Sequence, residues 1–356
     1  MGFATAAGSA APRNIVLCCD GTSNEFCKNN TNVVKLYQML DRDPSRQLCF
    51  YDPGVGTFAA PGALLPITKR ITRLLGLAIG LGLTSNVEEG YSYLMNTWRP
   101  GDHIYVFGFS RGAYTARAIA AMVHKVGLLE PEQEHFVPYA SKVFRKERDP
   151  KVYEDFKRTF GKDVRIRFLG LWDTVKSLGW VWSRTTWPFT MNNSSVDIVR
   201  HALAIDERRA FFRQNSWGQG TDVKQVWFAG SHSDVGGSYP EAEGGLSRIA
   251  LDWMVREAER AGLRTDPDEK AAILAPQSLD RLAPIHNSLK WYWWWGELFP
   301  KLTDFNVGGR WRTGIRVNLF RRRFIPQPCV VHESVEERTK AGYKPSNLPA
   351  NRTVET

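Results

Sequence analysis

The sequence lacks an export signal and any uninterrupted apolar run long enough to cross a membrane. The N-terminus, MGFATAAGSAAPRN, has neither a basic segment nor an apolar stretch of signal-peptide length, and Ala6 departs from the myristoylation pattern. Residues 54–84 are apolar, but Gly and Pro interrupt them too often for one spanning helix. We therefore expect a cytoplasmic protein, and secretion without a signal peptide stays open.

Cysteine is scarce, and its spacing matches no metal-binding pattern. The five residues are odd in number, and two of them are adjacent inside a predicted strand: Cys18, Cys19, Cys27, Cys49 and Cys329. This arrangement argues against a disulfide framework and against a zinc site. We expect reduced structural thiols, no metal and no other cofactor.

Acidic residues are outnumbered, since 47 Lys and Arg stand against 37 Asp and Glu and give a net charge of +10. Such a surface favours anionic partners. The excess is scattered, apart from three consecutive arginines at 321–323, so nucleic-acid binding is not favoured and peripheral contact with a membrane surface stays open. In the Trp- and Arg-rich region 276–325, packing in the core or against a subunit is favoured over insertion into a membrane interface.

What the sequence does contain is an alternation of strands and helices. Apolar runs bounded by turn residues occur at NIVLCCDG, QLCFYDPG, HIYVFGFS, VRIRFLGLWDT and KQVWFAGSHSD, with helical segments between them. Strands that are apolar almost throughout are typical of a parallel sheet covered on both faces. We predict an α/β-hydrolase-like three-layer sandwich with a mostly parallel central sheet, its core over about residues 12–265. Residues 1–12 would be disordered, residues 13–350 one domain, and residues 54–84 a lid, an insertion or a packed loop.

The third of these strands runs directly into Gly108-Phe109-Ser110-Arg111-Gly112, after which a helix begins. This matches the nucleophile elbow, in which a strained turn lifts a serine to the edge of the sheet. A side chain at Gly108 or Gly112 would collide with the neighbouring chain. The following helix would direct its N-terminal N–H groups toward developing negative charge.

A reactive serine needs a base and an orienting acid, in the chain order serine, acid, histidine for this architecture. The next two predicted strands end in Asp173 and His232, and ligands gather at such strand ends. His286 and His332, both expected beyond the sheet, are the rival bases, whereas His201 is expected in a helix. Asp234 would replace Asp173 only if His232 were not the base.

The first predicted strand ends in Asp20-Gly21-Thr22. The backbone N–H of Gly21 or Thr22 could join that of Arg111 in an oxyanion hole. Asp20 alternatively suggests a carboxylate for Mg²⁺ or phosphate chemistry. That alternative is not favoured, because the position two residues further on is Thr22 rather than a second Asp.

Several stretches together resemble one known family: VLCCDGTSNEF, YDPGVGT, GLGLTSNVEEGYSYL, VFGFSRGAYTAR, FLGLWDT, WFAGSHSDVGGSY and VVHESVEERTKAGYKPSNLP. This is the domain-of-unknown-function family 2235, which includes the catalytic domain of Tle1-type type VI secretion phospholipases. The resemblance extends from Asn14 to about Pro349. It implies a lipase-like fold whose nucleophile, acid and base fall on Ser110, Asp173 and His232.

The residues and the resemblance together predict a serine hydrolase acting on carboxylic esters, with lipid or phospholipid acyl esters as the substrate class. Two other functions stay open. One is a non-catalytic scaffold of the same fold that binds an anionic partner, and the other is metal-assisted phosphoester hydrolysis around Asp20. The sequence does not give the oligomeric state.

Overall fold

The fold is described from a computed structural model, which covers residues 11–21, 29–54, 82–175, 187–210, 212–218, 220, 222–298, 300–307 and 310–356. Most of the predicted disordered segment 1–12 and nearly all of the predicted lid 54–84 lie outside these ranges. None of the helices within the ranges combines the length and apolar character that crossing a bilayer requires.

Eight parallel strands form the central sheet, in the spatial order β10-β9-β6-β5-β4-β3-β1-β2. A separate antiparallel hairpin, β7 and β8, lies within the Trp- and Arg-rich region. The strands are β1 (Asn14–Cys19), β2 (Gln47–Asp52), β3 (His103–Phe109), β4 (Ile166–Trp172), β5 (Val196–Ala204), β6 (Asp222–Phe228), β7 (Lys301–Val307), β8 (Arg310–Arg316), β9 (Cys329–His332) and β10 (Arg352–Glu355).

Helices connect the strands and cover both faces of the sheet. They are α1 (Asn32–Met39), α2 (Leu83–Thr97), α3 (Arg111–Val126), α4 (Val137–Lys146), α5 (Pro150–Phe160), α6 (His232–Gly236), α7 (Gly245–Arg260), α8 (Pro267–Ile273), α9 (Trp294–Leu298) and α10 (Glu333–Lys340). Local signals set several starts: the Thr31 side chain caps α1 by accepting from the Val34 N–H, and Asp149 caps α5 ahead of Pro150.

Two large apolar cores lie on opposite faces of the sheet. Side chains alternate along β1, so that Cys19 packs with α2 and α3 whereas the adjacent Cys18 packs with α1 and α7. Both thiols are completely buried. Because helices cover both faces, the sheet strands are apolar on both sides, and the predicted three-layer α/β class is confirmed.

The sequence prediction missed part of the sheet. It placed His201 in a helix, but His201 lies in β5, which pairs between β4 and β6. The strands that carry Asp173 and His232 are therefore not consecutive along the chain. His332 was expected beyond the sheet but ends β9. The chain that forms the sheet also continues past residue 265, the predicted end of the core, and past residue 350, the predicted end of the domain. This is because β9 and β10 extend the sheet at one side.

Candidate active site

Ser110 occupies a sharp turn between the end of β3 and the start of α3. Its backbone angles are φ 59° and ψ −117°, a conformation that a residue with a side chain adopts only at a cost of about 1–3 kcal/mol. The turn is also crowded. A Cβ at Gly108 would overlap the carbonyl O of Gly112, and a Cβ at Gly112 would overlap the carbonyl O of Cys19. Both positions therefore require glycine.

A continuous chain of hydrogen bonds links Ser110, His232 and Asp173. The Oγ of Ser110 lies 2.8 Å from His232 Nε2, and His232 Nδ1 lies 2.5 Å from Asp173 Oδ2. The three residues follow β3, β6 and β4, so each stands at the carboxyl end of a parallel strand. The structure thus brings together the serine, acid and histidine that the sequence predicts in that order.

The imidazole of His232 is held between two aromatic rings. The ring of Phe109 lies 4.6 Å from it and that of Phe212 lies 4.9 Å from it, centroid to centroid. Burial lowers the pKa of His232 and outweighs the opposing effect of the hydrogen bond to Asp173. The ring is therefore neutral at physiological pH, with Nδ1–H donating to the carboxylate and Nε2 able to accept the Ser110 hydroxyl proton.

Asp173 is fully buried, yet both of its oxygens are engaged. Oδ1 accepts from Arg323 Nη1 at 2.5 Å and from the backbone N–H of Ala204 at 3.0 Å, and Oδ2 accepts from Arg323 Nη2 at 3.0 Å. Burial alone would raise the pKa of Asp173. The positive charge of Arg323 and the hydrogen bond from His232 outweigh burial and hold that pKa well below its usual range. The acid is therefore ionised at physiological pH.

Sequence reasoning missed three residues that support this group. Arg323 is one of the three arginines that were noted only as a charge cluster. Glu207, also buried, accepts from the backbone N–H of His232 at 3.3 Å and pairs with Arg209. His201 Nε2 accepts from the N–H of Thr174, directly after the acid. Nothing in the sequence marks Glu207 as buried, and nothing in it connects residue 323 to residue 173.

Two of the rival residues, His286 and Asp234, form a cluster of their own. His286 Nδ1 lies 2.6 Å from Asp234 Oδ1, and its Nε2 lies 2.8 Å from Glu243 Oε2. Asp234 also accepts from the backbone N–H and the hydroxyl of Ser231. His332 binds Ser334 through Nδ1. Both ring nitrogens of His286 are therefore occupied by carboxylates, away from the Ser110 hydroxyl.

The three residues predicted for the oxyanion hole differ in how the structure places their backbone N–H groups, and one of them is not described. Arg111 is the first residue of α3, whose opening N–H groups have no acceptor within the helix. The N–H of Gly21 instead donates to Asp20 Oδ1 at 2.6 Å, so this donor is already used. Thr22 lies outside the described residues.

The carboxylate oxygens of Asp20 accept hydrogen bonds from protein donors rather than being available to bind a cation. Its Oδ2 accepts from the Thr31 hydroxyl at 2.7 Å and from the Tyr51 hydroxyl at 2.9 Å. Within the described parts of the chain, no three His, Cys, Asp or Glu side chains form a group that could hold a metal ion. Asp20 therefore joins the ends of β1, α1 and β2.

Comparison with known proteins gives matches of limited extent. An uncharacterized protein of Saccharomyces cerevisiae is 38% identical over 225 residues, which is 58% of this chain and 33% of the yeast protein. A solved structure of an uncharacterized protein from Pseudomonas aeruginosa is 21% identical, with a TM-score of 0.46 over 78% of this chain and 51% of that one. The Tle1 effector bound to the VgrG spike of a type VI secretion system is 20% identical, with a TM-score of 0.41 over 67% of this chain and 53% of that one.

The chain thus spans about a third of the yeast relative and about half of each solved chain. The family model for the catalytic domain of Tle1-like phospholipase effectors of type VI secretion matches residues 13–257. That stretch includes the strained serine turn and the histidine and acid bound to it, and it confirms the resemblance seen in the sequence. The chain therefore belongs to the family of Tle1-like phospholipase effector catalytic domains.

Proposed function

We propose that this protein hydrolyses carboxylic esters of lipids, phospholipids among them, through an acyl-enzyme formed on Ser110. The observation that carries the proposal is the hydrogen-bonded chain from a strained serine through a neutral histidine to an ionised, buried acid. This arrangement supports acyl transfer because the base lies within reach of the nucleophile and is itself oriented by the acid. The family match supports a lipid substrate.

In the proposed reaction, Ser110 Oγ bonds to the ester carbonyl carbon while its proton passes to His232 Nε2. The resulting imidazolium is stabilised by Asp173. Collapse of the tetrahedral intermediate breaks the ester C–O bond, and the proton on Nε2 passes to the leaving alcohol. Water then attacks the acyl-enzyme in the same way, giving free fatty acid and restoring the Ser110 hydroxyl.

The developing oxyanion requires donors beside Ser110. The backbone N–H of Arg111, at the start of α3, supports this role because a helix N-terminus favours negative charge. The second donor is expected from the chain after Asp20, as the sequence predicts, with Thr22 as the candidate. Loss of one such donor typically costs about 10²- to 10³-fold in rate.

The decisive experiment is reaction with a fluorophosphonate probe, followed by mass mapping of the labelled peptide. We expect labelling at Ser110 in the wild type and none in Ser110→Ala. Ser195→Ala is the matched control, because Ser195 also binds a histidine, His124, at 2.7 Å but lies immediately before β5. Folded wild-type protein that stays unlabelled would instead favour the non-catalytic scaffold. If labelling succeeds, release of fatty acid from phospholipid and from triacylglycerol then separates the lipid classes.

We further propose that an apolar patch beside the site contacts the membrane surface from which such lipids are drawn. The patch comprises Trp291, Trp294, Leu298 and Leu319, which are all more than half exposed, so its two tryptophans do not pack in the core as the sequence favours. Trp294 contacts the ring of Phe320, and the N–H of Leu319 donates to the Glu297 carbonyl, so the two segments are contiguous. Residues 310–323 include six arginines and no acid; Arg322 and Arg323 pair with Asp206 and Asp173, and the other four give this stretch a composition that favours an anionic bilayer.

Sedimentation with phosphatidylcholine vesicles, with and without phosphatidylglycerol, tests this contact. We expect the double variant Trp294→Ala, Leu298→Ala to bind anionic vesicles at least about tenfold more weakly than wild type. Val152→Ala, which shortens an exposed apolar residue on α5, is the control and is expected to bind as wild type. Equal binding of all three proteins would overturn the assignment.

A further inference from the structure

We propose that Arg323 is a positioning residue for the catalytic acid, so that the functional site extends well beyond residue 257, where the family match ends. This inference rests on the proposed hydrolase function. Arg323 does not contact Ser110 or His232 in the hydrogen-bonded chain. It acts on Asp173, which in turn orients the base.

The contact between the two side chains is a parallel, two-point pairing. Arg323 Nη1 and Nη2 donate to Oδ1 and Oδ2 of Asp173, and the side chains are 2% and 0% exposed. The backbone N–H of Ala204 and Nδ1 of His232 supply the other two hydrogen bonds. A carboxylate offers about four acceptor positions, and all four are filled. Rotation of the carboxylate would break each of these bonds, so Oδ2 stays directed at His232.

The guanidinium is itself fixed from several sides. Its Nε donates to the carbonyl O of Phe212 at 3.1 Å, and Nη1 also approaches the carbonyl O of Ala204 at 3.3 Å. The backbone carbonyl of Arg323 accepts from Asn347 Nδ2, which also donates to the carbonyl of Ile205. These bonds hold the chain around Arg323 beside the end of β5, next to Asp173.

Charge makes this pairing more than a packing contact. Asp173 is a buried carboxylate, and without a cation beside it the ionised form would be strongly disfavoured. Other ionisable groups also lie nearby. His201 is next to the acid, with Arg117 3.4 Å from its ring, and Arg213 lies close enough to Arg323 for the two positive charges to repel. Glu207 and Arg209 form their own pair beside His232. Arg323 is the cation bound directly to the acid. Removing it would cause the His232–Asp173 pair to take up its first proton at higher pH, since a positive charge would be lost.

The test compares Arg323→Gln and Arg323→Lys with wild type, using hydrolysis of a soluble p-nitrophenyl ester. We expect kcat/KM of Arg323→Gln to fall about 10²-fold through kcat, with KM within threefold, as for a misplaced catalytic group. The acidic limb of its pH profile should move to higher pH. Arg323→Lys keeps the charge but loses the two-point geometry, and an intermediate rate is expected. Arg165→Gln breaks the pairing with Asp197 where β4 and β5 begin, at the ends of the strands away from the site. Its kcat/KM is expected to stay within about twofold of wild type.

Titration of the His232 ring by NMR separates this inference from the proposed function, because it needs no turnover. A raised His232 pKa in Arg323→Gln, with a wild type that hydrolyses no ester, would reject the hydrolase function and retain the assignment of Arg323. Wild-type kinetics and an unchanged titration in Arg323→Gln would reject the assignment alone. Should Arg323→Gln fail to fold, Arg323→Lys decides: a rate and pH profile equal to wild type would overturn the positioning role.

Discussion

No side chain fits between Gly112 and the backbone of Cys19. An added Cβ would overlap the carbonyl O of Cys19 and that of the following Asp20. The first turn of α3 therefore packs directly on the end of β1. This contact fixes the height at which α3 begins, and with it the position of the Ser110 hydroxyl above the sheet edge.

We predict that Gly112→Ala lowers the free energy of unfolding by about 3 kcal/mol or more, the upper end of the cost of overpacking, because rigid backbone has to move. Urea unfolding provides the measurement. Gly244→Ala is the control, since a Cβ there meets atoms no nearer than 3.4 Å and the backbone is not left-handed. A loss below about 1 kcal/mol in Gly112→Ala would contradict the steric argument.

A second prediction distinguishes the two histidines that sequence reasoning left in competition. His232→Ala removes the base bound to Ser110, so the rate of fluorophosphonate labelling should fall by a factor of about 10³ or more. His286→Ala breaks the hydrogen bonds to Asp234 and Glu243 and the ring contact with Tyr239, none of which involves Ser110, and its labelling rate is expected to stay within about threefold of wild type. Comparable losses in both variants would return His286 to the list of candidate bases.

The pH dependence of labelling gives a third prediction. Burial lowers the pKa of His232 below its ordinary value of 6.5, so the neutral base persists as the pH falls through that value. The labelling rate should therefore be half-maximal below pH 6.5. His286 has the opposite shift, because the carboxylates of Glu243 and Asp234 outweigh its partial burial and raise its pKa. A midpoint above pH 6.5 would point to His286 instead.

A fourth prediction concerns stability in acid. Burial lowers the pKa of both His201 and His332 from 6.5 to about 3. Between these values the unfolded chain binds protons that the folded protein does not, so stability falls as the pH falls. Each histidine contributes a slope of about 1.4 kcal/mol per pH unit near pH 5.

Replacing His332 by Gln should remove one of these two contributions, and the slope from urea unfolding at pH 4.5 and 5.5 measures it. His103→Gln is the control, because His103 is exposed at the start of β3. An equal slope in wild type and His332→Gln would show that His332 is protonated in the folded protein. The carboxylates of Asp173 and Glu207 act in the same direction at lower pH, since their pKa values are also depressed.

Much of the sheet could be predicted from the sequence because its strands are covered on both faces. Five of them read as short apolar runs, and the helices after them carried clear periodicity. β5 was missed because Asp197, Arg200 and His201 interrupt its apolar pattern. The structure explains them individually: Arg200 is buried and pairs with the buried Glu257 and the partly exposed Asp222, His201 lies beneath the acid, and Asp197 pairs with Arg165. Buried polar residues with distant partners conceal a strand from any local pattern.

The site was predictable to the same degree and for a related reason. Ser110, Asp173 and His232 each follow a strand, so strand ends identified them. Arg323 follows no recognisable strand. It contacts Asp173 only because the chain comes back beside the end of β5, 150 residues later. The sequence offers Gly21 or Thr22 as a donor to the oxyanion, and it does not show that the N–H of Gly21 donates to the Asp20 carboxylate. Such contacts depend on distances of a few ångströms, which residue patterns do not specify.

The two adjacent thiols in β1 provide an internal probe of this architecture. Burial raises the pKa of Cys18 and Cys19 well above the ordinary value of 9.0, so neither forms a thiolate while helices cover both faces of the sheet. Because one faces each core, alkylation of Cys19 alone would report detachment of the α2 and α3 layer, and alkylation of Cys18 alone would report detachment of the α1 and α7 layer. Pulse alkylation read by mass spectrometry would thus establish which layer separates first from β1, the strand on which the turn after Ser110 packs.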